Sequence, residues 1–174
     1  MHDILISIIL GIVEGLTEFL PVSSTAHLLI AEDVMGFHPP GEVLPIVIQL
    51  GAILAVVAIY FQKFWSVLIT LPTSADSQRF AAAVVLAFLP SAVAGALLAS
   101  QINVVLLNPN IAMPVIAISW TAGGLVILLF ERIAPVPRFL QGDQLPLNKA
   151  FQIGLCQIMA LLPGVSPSGA TILG

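Results

Sequence analysis

Charged residues are scarce in this chain. Asp, Glu, Lys and Arg together make up 8% of its 174 residues, where a soluble domain carries about a quarter. That scarcity excludes an ordinary water-soluble globular domain. Lys and Arg number five against nine Asp and Glu, for a net charge of −4, so the basic footprint of a nucleic-acid-binding protein is missing. The single cysteine, Cys156, rules out an intramolecular disulfide; lying in an apolar run, it reads as an inert packing residue. Paired Cys or His ligands are also lacking, which argues against a structural zinc site. The first residues, Met1-His2-Asp3-Ile4, lack the basic region of a signal peptide, so the first hydrophobic segment is expected to be retained. What the chain does have is apolar surface: 59% hydrophobic residues and a mean hydropathy of +1.10. It reads as an all-α polytopic membrane protein.

Three stretches read as complete spans, 43–61, 80–100 and 111–130, each near the ~20 apolar residues that a crossing requires. Cytoplasmic loops attract Lys and Arg. If the loops 62–79 and 131–149 are cytoplasmic, all five basic residues (Lys63, Arg79, Arg132, Arg138 and Lys149) fall on one side. The loop 101–110 and the acidic region holding Glu32, Asp33 and Glu42 then lie outside. With the N-terminus also outside, residues 4–37 enter and leave by one face, turning at Leu20-Pro21-Val22-Ser23-Ser24. Proline discourages a helix at the residue before it, and serines can bond the freed backbone groups. Hydropathy alone equally allows an ordinary span over 4–20.

Residues 154–173 echo 12–29: an apolar run, then Leu-Pro, then serines, then alanine and an apolar continuation. Two such broken segments in opposite orientation are the mark of inverted repeats that meet at a midplane site. On this reading 1–149 is a first repeat, made of the re-entrant hairpin, three spans and a cytoplasmic loop, and 150–174 opens a second, incomplete one.

The polar residues concentrate in these broken segments. Glu14 and Glu18 are four apart and share a helix face; Gly11 and Gly15 are likewise four apart and offer another helix a close approach. Carboxylates at membrane depth are costly and tend to serve function. Two of them this close share a proton or bind a divalent cation, magnesium or calcium, through oxygen. His27 shares the segment with Ser23 and Ser24 and could be a nucleophile, an acid–base group or a hydrogen-bonded structural residue. His2 and His38 have nothing to recommend them. Ser166, Ser168 and Thr171, with Gly164 and Gly169, either present hydroxyls and N–H groups to phosphate or serve the helix break. Trp65, Trp120 and Tyr60 fit interfacial or packing roles.

The stretches EGLTEFLPVSSTAHL (14–28) and LPGVSPSGATI (162–172), with VIQLGAILAV (47–56) and KAFQIGLCQ (149–157) between and beside them, resemble the bacitracin-resistance family of undecaprenyl-diphosphate phosphatases. The resemblance runs along essentially the whole chain. It implies a protein of the bacterial cytoplasmic membrane that removes the terminal phosphate of a C55 isoprenoid diphosphate at the outer face. The product is the lipid carrier used for peptidoglycan and other wall polymers. The family's metal-assisted chemistry places its acidic pair on Glu14 and Glu18, its serine on Ser24 and its histidine on His27. Ser23, Ser166, Ser168, Gly169 and Thr171 are then expected to bind the substrate's phosphates.

The chain departs from that pattern in two respects. The family usually has arginine between the two serines of the second motif, and here Pro167 stands between Ser166 and Ser168. Proline supplies neither the charge nor the two-point fork that clamps phosphate. The sequence also stops at Gly174, inside the second motif, where the family continues. Weak or absent hydrolysis is therefore expected of the chain as written. The pattern alone also admits a polyprenyl-phosphate carrier or flippase, since inverted repeats suit alternating access, or an inactive fragment of the phosphatase family. Oligomeric state cannot be read from the sequence.

Overall fold

A computed structural model describes residues 2–37, 43–102, 104, 109–133 and 145–174. Every regular element among them is helical, as an all-α membrane protein requires, because helices satisfy their own backbone groups in lipid. His38, Glu42 and Arg138, and with them much of the expected loops 101–110 and 131–149, lie outside the described residues.

Helix α1 (His2–Thr17) is an isoleucine-rich run without an internal breaker. Ile6 and Leu10, four apart on one face, are buried. With Leu28 they form a small core against which Val13, Ala31, Met35, Leu44 and Ile48 pack. The helix cannot continue through Pro21, which lacks the N–H needed for the next helical bond, and α2 (Ser24–Met35) begins beyond the turn. With 16 and 12 residues, neither helix reaches the ~20 residues of a full span.

Helix α3 (Val43–Ile59) packs on α1 and then bends by 71° into α4 (Phe61–Thr70). The stretch 62–79, expected to be a loop, is thus largely helix. Phe61, Phe64, Trp65, Leu68 and Ile69 are all exposed, too much apolar surface for a solvated connection. Helix α5 (Ala75–Gln101) starts earlier than the expected span 80–100, because the Ser74 hydroxyl caps it by accepting from the Ser77 N–H. Helix α6 occupies Pro109–Ile133. Both α5 and α6, the latter taken from Ile111, are long and apolar enough to cross a membrane. Most of their large apolar side chains face outward, as lipid contact demands.

Helix α7 (Leu147–Gln157) lies along α5 and passes through one 3₁₀ turn (Ile158–Leu161) to the short α8 (Pro167–Leu173). The seam between α5 and α7 depends on Gly154, where a Cβ would stand 2.6 Å from the Ala87 carbonyl oxygen and 2.9 Å from the Pro90 ring. By contrast, Gly11 and Gly15, expected to admit a neighbouring helix, face open space among the described residues, with nothing within 4 Å of where a Cβ would stand. The packing face of α1 is instead the Ile6–Leu10 stripe.

Candidate active site

Glu14 continues that stripe. It follows Leu10 by four residues, one turn along the buried face of α1, and is only 2% exposed. Its Oε2 is buried without a hydrogen-bond partner among the described residues. A buried polar atom in that condition costs free energy, so this position is set by something other than stability. Glu18 comes one turn later, its N–H donating to the Glu14 carbonyl at 2.8 Å. Across the turn, the Ser24 hydroxyl donates to Glu18 Oε2 at 2.5 Å, which ties the end of α1 to the start of α2.

Ser23, at the hinge of this turn, has φ 62° and ψ 97°, a backbone region that residues other than glycine rarely occupy. Its carbonyl serves His27, whose Nδ1 lies 2.9 Å away. A carbonyl can only accept, so Nδ1 carries the proton and Nε2 of the neutral ring is left bare. The imidazole also packs against Trp120 of α6, with ring centroids 4.9 Å apart and planes tilted by 44°.

The second motif meets the first at Leu20. Ser168 donates to the Leu20 carbonyl at 2.9 Å, and the Ser166 hydroxyl is 3.3 Å from the same oxygen. Ser166 and Ser168 are 2.8 Å apart through their hydroxyls, and Ser166 caps α8 by accepting from the Gly169 N–H. Proline suits the first position of that helix, where no N–H bond is required, and Pro167 is exposed there. Gly169 lies against Pro21, where a Cβ on the glycine would stand 3.3 Å from the proline's own. Gly164 enters the turn at φ +90°, where a Cβ would strike Ser119 and Ile116 of α6 at 2.9 and 3.0 Å.

The structure therefore sets Glu14 on the last turn of α1, Glu18 and Ser23 in the turn, and Ser24 and His27 on the first turn of α2, and brings Ser166, Ser168 and Gly169 against that turn. Thr171 is held elsewhere: its hydroxyl accepts from Gln157 of α7 and donates to the Pro167 carbonyl, at 2.9 and 2.8 Å. Cys156, expected to be a packed residue, is exposed and lines a cavity of about 820 Å³ between α6 and residues 156–174. The wall is mostly apolar (Ile118, Val126, Phe130, Met159, Leu173), with His27 and Ser166 at its polar part. Sequence reasoning gave Trp120 only an interfacial or packing role and did not single out Gln157 at all. Helix α6 is almost uniformly apolar, and only Ser119-Trp120-Thr121 interrupts it near the site.

The donor set fits a hard divalent cation. Two carboxylates stand together, one with a buried oxygen that no group among the described residues satisfies. Among the described residues no third His, Cys, Asp or Glu joins them. Magnesium is characteristically held in this way, by one or two carboxylates with the remaining positions left to water and phosphate.

Comparison with known proteins matches residues 7–174 to the family described as bacitracin resistance protein BacA. An undecaprenyl-diphosphatase of Azospirillum brasilense is 52% identical over 167 residues, covering 95% of this chain and 87% of the relative. Those of Phenylobacterium zucineum and Caulobacter vibrioides are 49% and 47% identical over the whole chain. The chain spans 64% of the length of each of these two.

Proposed function

This chain belongs to the bacitracin resistance protein BacA family, and from that premise we propose that it hydrolyses undecaprenyl diphosphate to undecaprenyl phosphate and inorganic phosphate. The observation that carries the reading is the closure of the second motif on the first. Ser166 and Ser168 reach Leu20, in the turn that also presents the carboxylate pair, Ser24 and His27. A diphosphate head needs charge neutralisation, hydroxyl and N–H donors, and a group to manage one proton. This arrangement offers the hydroxyls and the proton-managing imidazole, and the charge neutralisation would come from a cation held by the carboxylate pair.

In the proposed reaction the bare Nε2 of His27 takes a proton from water while the water oxygen bonds to the terminal phosphorus. The bond from that phosphorus to the bridging oxygen breaks, and the electron pair leaves on the lipid monophosphate. Ser24, Ser166 and Ser168 would turn their hydroxyls from Glu18 and Leu20 to donate to phosphate oxygens, which Ser23 and the Gly169 region help to orient. Thr171 supports α8 through Gln157. Glu14 and Glu18 are the residues that would hold magnesium or, less suited to so small a donor set, calcium. A cation bound there would offset the negative charge of the diphosphate.

The polyprenyl tail is assigned to the apolar cavity beside His27. The reading puts the protein in the bacterial cytoplasmic membrane with the site open to the extracytoplasmic face, in line with the expectation that all five basic residues share the cytoplasmic side. It also treats the two broken segments as inverted repeats.

Phosphate release from undecaprenyl diphosphate by the purified chain in detergent with magnesium tests the reading, with Glu18→Gln as comparison. The expected result is slow, cation-dependent release that Glu18→Gln abolishes. Release equal in the two proteins removes the carboxylate role, and a lipid carrier, which needs two membrane sides, would release none.

A further inference from the structure

Among the described residues the His27 imidazole makes one hydrogen bond, from Nδ1 to the Ser23 carbonyl, which the His27 backbone N–H also meets at 3.3 Å. A single bond of that kind fixes the tautomer but leaves the imidazole free to swing about the donor–acceptor line. A reacting Nε2 needs a second constraint on its ring plane, because ~1 Å of misplacement can cost about a hundredfold in rate. The other ring against His27 is Trp120, at 4.9 Å between centroids. Trp120 belongs to α6, and its immediate neighbour Ser119 is where Gly164 of the second motif makes its close approach. The indole thus stands one residue from the close approach of α6 and the second motif.

We propose that Trp120 is the positioning residue for His27: its ring face sets the imidazole plane and transmits to it the seating of the second motif. The contact is between the two tilted rings and does not use the indole N–H, because among the described residues Nε1 is buried without a hydrogen-bond partner. Phenylalanine keeps the face and removes an unsatisfied donor, whereas leucine removes the face. This inference rests on the assignment of His27 as the proton-accepting group.

Two measurements test it. In phosphate release, Trp120→Leu is expected to lower kcat about tenfold with little change in KM, and Trp120→Phe to retain most of the rate. His27→Ala is expected to lose ~10²-fold, and adding Trp120→Leu to it should cost nothing further. In NMR of ¹³C,¹⁵N-histidine-labelled protein, the His27 signals, assigned by their loss in His27→Ala, should report the Nδ1–H tautomer. They should shift and lose that preference in Trp120→Leu but keep it in Trp120→Phe.

A Trp120→Leu loss that persists undiminished in the His27→Ala background overturns the proposal. So do His27 signals indifferent to Trp120→Leu, or a Phe variant as impaired as Leu. A parent that releases no phosphate while its histidine signals respond as stated sinks the proposed reaction and leaves the positioning contact standing.

Discussion

The Ser168 hydroxyl donates to the Leu20 carbonyl at 2.9 Å, across a separation of 148 residues. Leu20 is able to accept because Pro21 and the turn have taken its oxygen out of helical bonding; the Val22 N–H bonds it locally at 2.8 Å. The Ser166 hydroxyl, at 3.3 Å, has one proton to share between Leu20 and Ser168. The Ser168 bond is therefore the stronger tie and Ser166 matters more as the cap of α8. Ser168→Ala should cost ~1 kcal/mol, and Ser166→Ala a similar ~1 kcal/mol through the lost cap. Unfolding by SDS titration of the two variants checks this, and unchanged midpoints would mean that the motifs dock without their serines.

Glu14 occupies a position that the fold alone would give to an apolar side chain. It continues the Ile6–Leu10 stripe, is 2% exposed and keeps one oxygen unsatisfied. Glu14→Leu should therefore raise stability by ~1 kcal/mol or more while abolishing phosphate release. The pair of outcomes is diagnostic, because a merely structural carboxylate would lose stability when replaced. The check is unfolding midpoint and phosphate release measured on one preparation.

Glycines at two places should respond in opposite directions. Gly164 sits at φ +90° with a prospective Cβ 2.9 Å from Ser119, so alanine there faces backbone strain and a clash together. Gly164→Ala should destabilise by ~2 kcal/mol or more. Gly11, in the middle of α1 with open space around it, should gain about 0.5 kcal/mol on change to alanine. Equal effects at both positions would contradict the close approach of the second motif to α6.

Much of the site was legible because the sequence concentrates its rare polar residues where the helix must break. Pro21 and Pro163 mark the turns, and Glu14 and Glu18 declare themselves by standing in an isoleucine-rich run. The contact of Ser166 and Ser168 with Leu20 was implied only by the likeness of the two segments, since a hydroxyl–carbonyl bond over such a separation leaves no local pattern. Trp120 was hidden for a different reason. An aromatic in an apolar helix has the same pattern whether it meets lipid or a histidine, and only the tertiary placement of α6 decides. The α3–α4 bend at Tyr60 was likewise invisible, because apolar residues run through it without a proline or glycine. Gly11 and Gly15 meet no helix among the described residues: their spacing permits close helix approach, but α1 packs on its described neighbours through the Ile6–Leu10 stripe.

Pro167 is the remaining lever on activity. Neither motif contains Lys or Arg, so the side chains of the two motifs would offer a bound phosphate no fixed positive charge. Pro167 is exposed at the first position of α8, where the backbone N–H has no helical acceptor. Arginine can therefore enter without breaking a hydrogen bond, and the Ser166 cap does not depend on proline. A guanidinium next to Ser166 and Ser168 would offer two-point binding to phosphate oxygens. Loss or gain of such a cation in phosphoryl transfer is worth as much as ~10³-fold, and an exposed arginine should realise at least about tenfold of that. Pro167→Arg is thus expected to raise kcat/KM for phosphate release by that factor, with little change in unfolding midpoint, and to do so only when Glu18 is intact. A folded Pro167→Arg protein with the parent's rate would mean that charge at this position does not limit the reaction. A gain that survives Glu18→Gln would mean that the arginine and the carboxylate pair do not act on the same phosphate group.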